Sequence, residues 1–393
     1  MYNSLMNKKF GIKPTEDLKL NKYTDFKQFN NLTLSNLTVS NTKITEMLNH
    51  VCMIKLCGGL GLSMGCDIVG PKSLIKVVDD LNFIDIAVNQ LIYLNTKYNT
   101  HIPLILMCSI KDIQQIEIHI QKYKNVLNIF TILQSYIPMT NILFNEPIST
   151  YAPPGDGELI QLIQSDNELL QKLKKMGTEM LFVSNIENVG GYISNTIMYD
   201  FYHSNKKFGI EIIDSQPGDE TFVVDNRKIK IIPETKTNYK LINNIYLKLD
   251  VIINDVNKNF IHDMNIYTCN VEQYNAYTLE LKLNSLINTF NKDKIVIYSV
   301  PDTRWLNVKD CSNLFLIQSN LYQLCSDYKF IKSFSNHQMP EIIFDSKVKK
   351  YVYYQSFIIS IPDLRNLKKL TIKNSNTRII NKQLHLSGEV VFC

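Results

Sequence analysis

The sequence lacks nearly every feature that would assign it to a membrane, a secretory route or nucleic acid. No apolar run approaches the roughly 20 residues of a membrane span; the longest, such as Ile102–Cys108, have the length of one strand. The N-terminus, MYNSLMNKKF, has no apolar h-region, so no secretory leader is expected. Net charge is only +5 over 393 residues, and no compact Lys/Arg block is interleaved with aromatics. Nucleic acid is therefore not the expected partner. The eight cysteines are scattered and form no CxxC pair, so neither a zinc ribbon nor a redox motif is indicated. Two sequons, Asn31-Leu-Thr and Asn36-Leu-Thr, read as accidents of an Asn-rich chain. A reducing, cytoplasmic setting fits these absences.

What is present is ordinary for a globular protein: 45% hydrophobic and 20% charged residues. Residues 1–50 are polar, with irregular apolar spacing, and read as a loosely packed lead-in. Order is expected from Val51. Val51–Leu56 reads as a buried strand and Phe83–Tyr98 as an amphipathic helix, with Ile84, Ala87, Leu91 and Leu94 on one face. Ile102–Cys108, Val126–Leu133 and Glu179–Ser184 read as further strands, with helices over Lys111–Tyr123 and Glu158–Lys175. Such alternation predicts an α/β domain with a mostly parallel sheet, and ligands beyond the carboxyl ends of its strands. After about residue 205 the segments shorten: Glu211–Ile213, Phe222–Asp225, Lys228–Ile232 and Ile245–Ile253 are strand-like, Leu279–Asn291 helix-like and Ile295–Val300 a strand. The expected division is a lead-in (1–50), a catalytic domain (51–325) and a short C-terminal β module (326–393), with strands at Leu370–Ile372, Gln383–Leu386 and Glu389–Phe392.

The strongest local signal runs from Lys55 through Gly58-Gly59-Leu60-Gly61 to Gly70-Pro71-Lys72-Ser73. Glycines directly after a buried strand permit positive φ and a close approach of backbone N–H groups to a base or phosphate. Lys72 supplies a point charge for a phosphate. A dinucleotide GxGxxG fails because Met64 stands where glycine is needed, and a Walker A loop fails because Pro71 separates Gly70 from Lys72. Taken alone, the loop is as consistent with a tight turn as with a nucleotide cradle.

The whole string resembles the eukaryotic-type UTP–glucose-1-phosphate uridylyltransferase family, whose signature reads close to KLNGGLGTSMGCxGPKS. Similar segments follow in order: Phe83-Ile-Asp-Ile-Ala-Val, His101-Ile-Pro-Leu-Ile-Leu-Met107, Tyr151-Ala-Pro-Pro-Gly155, Leu181-Phe-Val-Ser-Asn-Ile-Glu-Asn-Val-Gly190 and Val300-Pro-Asp-Thr-Arg-Trp-Leu-Asn-Val-Lys309. Ile361-Pro-Asp-Leu and Leu370-Thr-Ile resemble the opening of the family's C-terminal β-helix. The resemblance implies a Rossmann-like nucleotide-diphospho-sugar transferase fold with a mixed sheet and a short β-helix-like module. It implies that UTP and a sugar 1-phosphate, with glucose 1-phosphate the leading candidate, give UDP-sugar and pyrophosphate with Mg²⁺. Carried over, Gly58, Gly59, Met107, Gln134 and Gly155 would bind the nucleotide. Lys72 and Lys309 would act on the phosphates, Glu187 would hold the metal, and Asp156, Asn185 and Asn243 would face the sugar. Lys309 read without the resemblance is a solvated surface lysine.

Several positions depart from the family pattern. Cys57 replaces an asparagine, the loop before Gly70 is two residues longer, and Glu187 replaces an aspartate. Asp156 stands where the family has histidine, Gly218-Asp219-Glu220 aligns with a Lys-Gly-Gly turn, and Pro233, with Glu234 beside it, aligns with a sugar-contacting glutamate. Leu241 replaces the first Asn of a family segment in which Asn243 and Asn244 remain. Acidic replacements near a dianionic sugar phosphate would each cost on the order of 1 kcal/mol. They motivate an alternative, a catalytically impaired uridine-nucleotide-binding scaffold. The C-terminal module is short, so a monomer or small homo-oligomer is expected.

Overall fold

The computed structural model describes residues 39–141, 147–214, 221–225, 228–232, 239–255, 266–271, 276–334, 338–358, 360–373 and 385–392. Its centre is a seven-stranded mixed sheet of β1 (Val51–Leu56), β2 (Leu104–Cys108), β3 (Ile129–Leu133), β4 (Met180–Asn185), β5 (Phe208–Asp214), β6 (Tyr239–Lys248) and β7 (Ile295–Ser299). The spatial order is β7-β5-β6-β4-β1-β2-β3. β1 lies between β2 and β4, parallel to both, with Met53 opposite Leu104 and Phe182. β6 runs antiparallel to its neighbours β4 and β5, which makes the sheet mixed.

Side-chain alternation along β1 splits the core in two. Val51 and Met53 join a cluster on one face, while Cys52, Ile54 and Leu56 join another on the opposite face. Both faces are covered, so β1 is buried along its whole length. A separate antiparallel sheet includes Ile137–Asn141, Pro147–Ala152 and Ala276–Leu281. Three parallel strands, Glu341–Phe344, Asp363–Ile372 and His385–Phe392, form the C-terminal sheet. Their residues Phe344, Leu364, Leu367 and Leu370 share the first core cluster with Phe83, Val88 and Leu91.

Several elements differ from the sequence expectation. Order starts before Val51: α1 (Asn41–Leu48) packs Ile44, Met47 and Leu48 into the core, a face built by i, i+3, i+4 spacing. Glu158–Lys175 is not one helix. It breaks at Asp166, whose carboxylate accepts the Leu169 N–H and caps a second helix over Asn167–Lys175. Leu279–Asn291 is not a helix: Ala276–Leu281 is a strand paired with Ile266–Val271, and a 3-10 helix follows over Leu283–Thr289. Pairing across the hairpin overrides the helical spacing there. Likewise the strand expected through Ile253 ends at Lys248, and a π-helical turn spans Val251–Asp255. Gly218-Asp219-Glu220, Pro233, Glu234, most of the 1–50 lead-in and the start of Gln383–Leu386 lie outside the described residues.

Helix α2 (Phe83–Tyr98) matches its expected bounds, and its start is fixed chemically. Asn82 and Asp85 form a reciprocal capping box, each side chain bonding the other's backbone N–H. The Asp85 carboxylate, 3% exposed, also takes His119 Nε2 at 2.7 Å, the Tyr123 hydroxyl at 2.7 Å and Lys122 Nζ at 3.0 Å. It therefore clamps α2 to the helix Ile113–Ile120 and the turn after it. Burial alone would raise its pKa, but these bonds outweigh burial and hold it well below the carboxylate range. A depressed native pKa stabilises the fold fully above the ordinary value of 3.8 and loses that contribution as pH falls below it. Asp85→Asn is expected to lower unfolding stability by about 2–3 kcal/mol at pH 7. In urea titrations the gap between variant and wild type should narrow as pH drops toward ~2; a gap that is constant with pH would contradict the clamp.

Candidate active site

The cleft opens at the carboxyl ends of β1 and β4, where two loops leave the sheet side by side. Ile186 N–H donates to the Leu56 carbonyl at 3.1 Å, and Cys57 N–H donates to the Met107 carbonyl at 2.8 Å. The ends of β1, β2 and β4 are thereby tied together before the chain turns into the glycine loop. Gly61 sits at φ +66°, and a Cβ there would lie 2.7 Å from the Cys66 Cβ, so this turn needs glycine on two counts. The loop, the Ile186–Glu187 turn and Lys309 line an open cleft of about 260 Å³.

Three charged groups predicted from the sequence meet in this cleft. Lys72 Nζ is 3.8 Å from Glu187 Oε1, and the two side chains are 14% and 22% exposed. Lys309 lines the same cleft with an exposed side chain. Its backbone is held firmly: its carbonyl accepts the Ser63 hydroxyl at 2.7 Å, and its N–H donates to Asn313 Oδ1 at 3.0 Å. The Glu187 and Lys309 segments are joined by backbone bonds, Val308 N–H to the Glu187 carbonyl at 3.0 Å and Val189 N–H to the Leu306 carbonyl at 3.2 Å.

Gly58, Gln134 and Gly155 form a second group. Gln134 Nε2 donates to the Gly155 carbonyl at 2.9 Å. A Cβ on Gly58 would fall 1.5 Å from Gln134 Oε1, so only glycine lets that amide lie over the loop. Gly155 has φ +95°, and a Cβ there would meet the Leu281 carbonyl at 2.5 Å. Gly59 is exposed on the cleft wall. Met107, by contrast, is 1% exposed and packs in the core with Leu56, Ile132 and Ile137; only its carbonyl reaches the loop. Asp156, Asn243 and Asn185 form a third group, with Asn243 Nδ2 donating to Asp156 Oδ2 at 2.6 Å and to Asn185 Oδ1 at 2.8 Å. Leu283 N–H occupies the other Asp156 oxygen at 2.8 Å. Burial pushes the Asp156 pKa up to about 6, against the lowering effect of these two bonds.

The residues that hold the cleft together receive no role from the sequence, although Arg304 and Asn188 lie inside family-like segments. Arg304, Glu211, Asn244, Asn188 and Tyr246 are all buried. The Arg304 guanidinium meets the Glu211 carboxylate through Nε at 3.1 Å and Nη2 at 2.5 Å, and Nη1 donates to the Tyr192 carbonyl at 2.8 Å. Asn244 Nδ2 adds a bond to Glu211 at 2.8 Å. Asn188 Nδ2 donates to both Asn244 Oδ1 and the Arg304 carbonyl, and its own Oδ1 accepts the Gly190 N–H. Asn188 follows Glu187 directly, so this network fixes the turn that presents Glu187. Lys55, 2% exposed, supports the same turn: Nζ donates to Ser184 Oγ at 2.8 Å and to the Gly191 carbonyl at 2.5 Å. Burial pushes its pKa down to about 7. The signals in the sequence were one lysine inside the apolar run of β1 and one glutamate inside that of β5.

The family model for UTP–glucose-1-phosphate uridylyltransferase matches residues 1–222 and 223–379. The chain belongs to this family. It is 30% identical over 383 residues to UTP–glucose-1-phosphate uridylyltransferase 2 of Dictyostelium discoideum, covering 90% of this chain and 75% of that relative. It is 29% identical over 376 residues to the Saccharomyces cerevisiae UTP–glucose-1-phosphate uridylyltransferase, covering 88% and 74%. Among solved structures, UDP-glucose phosphorylase of Trypanosoma brucei superposes with a TM-score of 0.77 at 21% identity, over 88% of this chain and 86% of that one. A Leishmania major UDP-glucose pyrophosphorylase variant in complex with UDP-glucose gives 0.71 at 21% identity, over 86% and 80%. These two structures share the fold of this family member.

Removing one partner from a buried, hydrogen-bonded ion pair leaves the other charge uncompensated, at about 3–5 kcal/mol. Glu211→Ala should therefore lower unfolding stability by that amount in urea titration. A loss under ~1 kcal/mol, the scale of an exposed pair, would contradict the placement of this network.

Proposed function

We infer that this chain joins UTP to a sugar 1-phosphate, with glucose 1-phosphate as the acceptor, releasing pyrophosphate and a UDP-sugar. The observation that carries the reading is the meeting of Lys72, Glu187 and Lys309 in one cleft beside the glycine loop, in a member of this family. We assign Gly58, Gly59, Gln134 and Gly155 to the uracil, which they meet through backbone groups and one amide. Met107 lies beneath them as packing. A phosphate oxygen of the sugar phosphate attacks the α-phosphorus of UTP; one P–O bond forms as the bond to the departing pyrophosphate breaks. The side chains contribute position and charge. Lys72 neutralises the triphosphate from inside the cleft. Lys309, on an exposed arm with a fixed backbone, reaches the reacting phosphates.

Glu187 is the single carboxylate on the cleft wall, and the described residues hold no cluster of three His, Cys, Asp or Glu side chains. One carboxylate suits Mg²⁺, which commonly binds through one or two carboxylates and substrate phosphates while keeping several waters. Glu187 would hold it, and the metal would neutralise phosphate charge when bound. The scaffold alternative rested on acidic replacements facing the sugar. Asp156 supports it little, because both carboxylate oxygens are occupied by Asn243 and Leu283. Six cysteines, Cys52, Cys57, Cys66, Cys108, Cys311 and Cys325, are free thiols, which supports a reducing, cytoplasmic setting. We read the three parallel C-terminal strands as the start of a β-helix-like module on a monomer or small homo-oligomer.

A coupled pyrophosphate-release assay with UTP, Mg²⁺ and glucose 1-phosphate should show turnover. Silence of the wild type across a panel of sugar 1-phosphates at saturating UTP would overturn the reading. Lys309→Ala should reduce kcat by about 10²-fold or more with an unchanged melting temperature, since the hydrogen bonds of Lys309 to the described residues are made by its backbone. Lys309→Arg should also fail, because a planar fork does not replace a compact point charge. Near-normal activity of either variant would remove Lys309 from the phosphates.

A further inference from the structure

We propose that Asp156 is a positioning residue that sets hydrogen-bond polarity on the acceptor side, turning Asn185 through Asn243 so that Asn185 presents an N–H donor at the carboxyl end of β4, beside the cleft-lining Ile186 and Glu187. The inference rests on the uridylyltransferase reading for its functional consequence, but the relay itself is a property of the fold.

Asp156 begins the 3-10 turn Asp156–Glu158, immediately after Gly155. One oxygen is fixed by the Leu283 N–H, and the other faces the Asn243 carboxamide at 2.6 Å. A carboxylate only accepts, so Asn243 must turn its Nδ2 toward it. The same Nδ2 donates to Asn185 Oδ1 at 2.8 Å, which fixes the orientation of the second carboxamide. Asn185 is the last residue of β4, two residues before Glu187, and is part-exposed. Its Nδ2 makes no bond to the described residues and is therefore the group offered to a ligand.

A second observation shows that the carboxylate dictates the arrangement. Asn243 Oδ1 is buried and has no hydrogen-bond partner. Rotating the amide would leave Nδ2 in that unpartnered place instead. Here rotation would set a carbonyl against the Asp156 carboxylate, so the orphaned oxygen is retained. An acceptor subsite built this way favours a sugar oxygen that accepts. It follows that Asp156 acts on the sugar through two amides and does not touch it. Replacing the carboxylate with a carboxamide that keeps its bond to Leu283 would present Nδ2 to Asn243. Asn243 would then turn its carbonyl inward, Asn185 would follow, and the cleft would face an acceptor where it had a donor.

Protonating Asp156 should have the same effect as this substitution. The charged neighbours that bear on its titration are Glu280 on the strand Ala276–Leu281, which raises its pKa, and Lys282 beside the Leu283–Thr289 turn, which lowers it. The test uses the full chain labelled with ¹⁵N-asparagine and follows the side-chain amides of Asn185 and Asn243 between pH 5 and 8. In the wild type both should shift together with one midpoint near about 6; in Asp156→Asn neither should titrate there. An Asn185 amide that stays still while Asn243 moves, or a titration that survives in Asp156→Asn, overturns the relay. In the kinetic arm, Asp156→Asn should raise KM for glucose 1-phosphate about tenfold while leaving KM for UTP within about twofold. Equal changes in both constants would also overturn it, as expected of a general structural defect. If the wild type shows no turnover, the uridylyltransferase reading fails instead, and the amide titration alone decides the relay.

Discussion

The cleft depends on a buried ion pair between Arg304 and Glu211. Arg304 and Glu211 come from segments 93 residues apart, and their contact draws the Asp302–Arg304 turn onto β5. Burial works against the Arg304 charge, and the Glu211 carboxylate outweighs it, so Arg304 stays charged inside the core. A charge pair in such a place is stable only when its remaining donors and acceptors are matched. Here Asn244, Tyr246 and the Tyr192 carbonyl supply them. The geometry that satisfies the pair also brings Arg304's carbonyl to Asn188, next to Glu187. The position of the Glu187 carboxylate is thus set by electrostatics beneath the surface.

The same logic explains why so exposed a residue as Lys309 can be placed well. Its side chain is unconstrained, yet Val308 is bonded to the Glu187 carbonyl and the Lys309 carbonyl to Ser63 in the glycine loop. Three loops that follow different strands are therefore joined edge to edge around the cleft. Lys55 completes the support from below by donating to two neutral oxygens, while burial pushes its pKa down to about 7. Lys72, Glu187 and Lys309 form the charged centre of this rim.

Legibility in the sequence followed the range of the interactions. β1 was readable to the residue because Val51–Leu56 is an apolar run buried on both faces, and α2 because Asn82 and Asp85 mark its start locally. The glycine loop was readable because positive φ and close packing leave few residue choices at Gly58, Gly61 and Gly155. The meeting of Lys72, Glu187 and Lys309 came from family resemblance, since nothing in their spacing brings 72, 187 and 309 together. The Arg304–Glu211 pairing was not readable: Arg304 lies in a family-like segment and Glu211 in an apolar run, but 93 residues separate them and nothing local joins them. The helix expected over Leu279–Asn291 failed for a related reason, because a hairpin partner decides a strand that local spacing does not. Asp156 drew attention as an acid in a sugar's path, and only its two bonds revealed that it faces inward.

The central claim is that the glycine loop and the two lysines form a uridine triphosphate site. Titration calorimetry of the wild-type chain with UTP, and separately with ATP, in the presence of Mg²⁺ tests it most directly. The account predicts saturable UTP binding at one site per chain, weakened about tenfold or more in Lys72→Ala, with ATP binding much weaker. Absence of UTP binding, or equal binding of UTP and ATP, would contradict it.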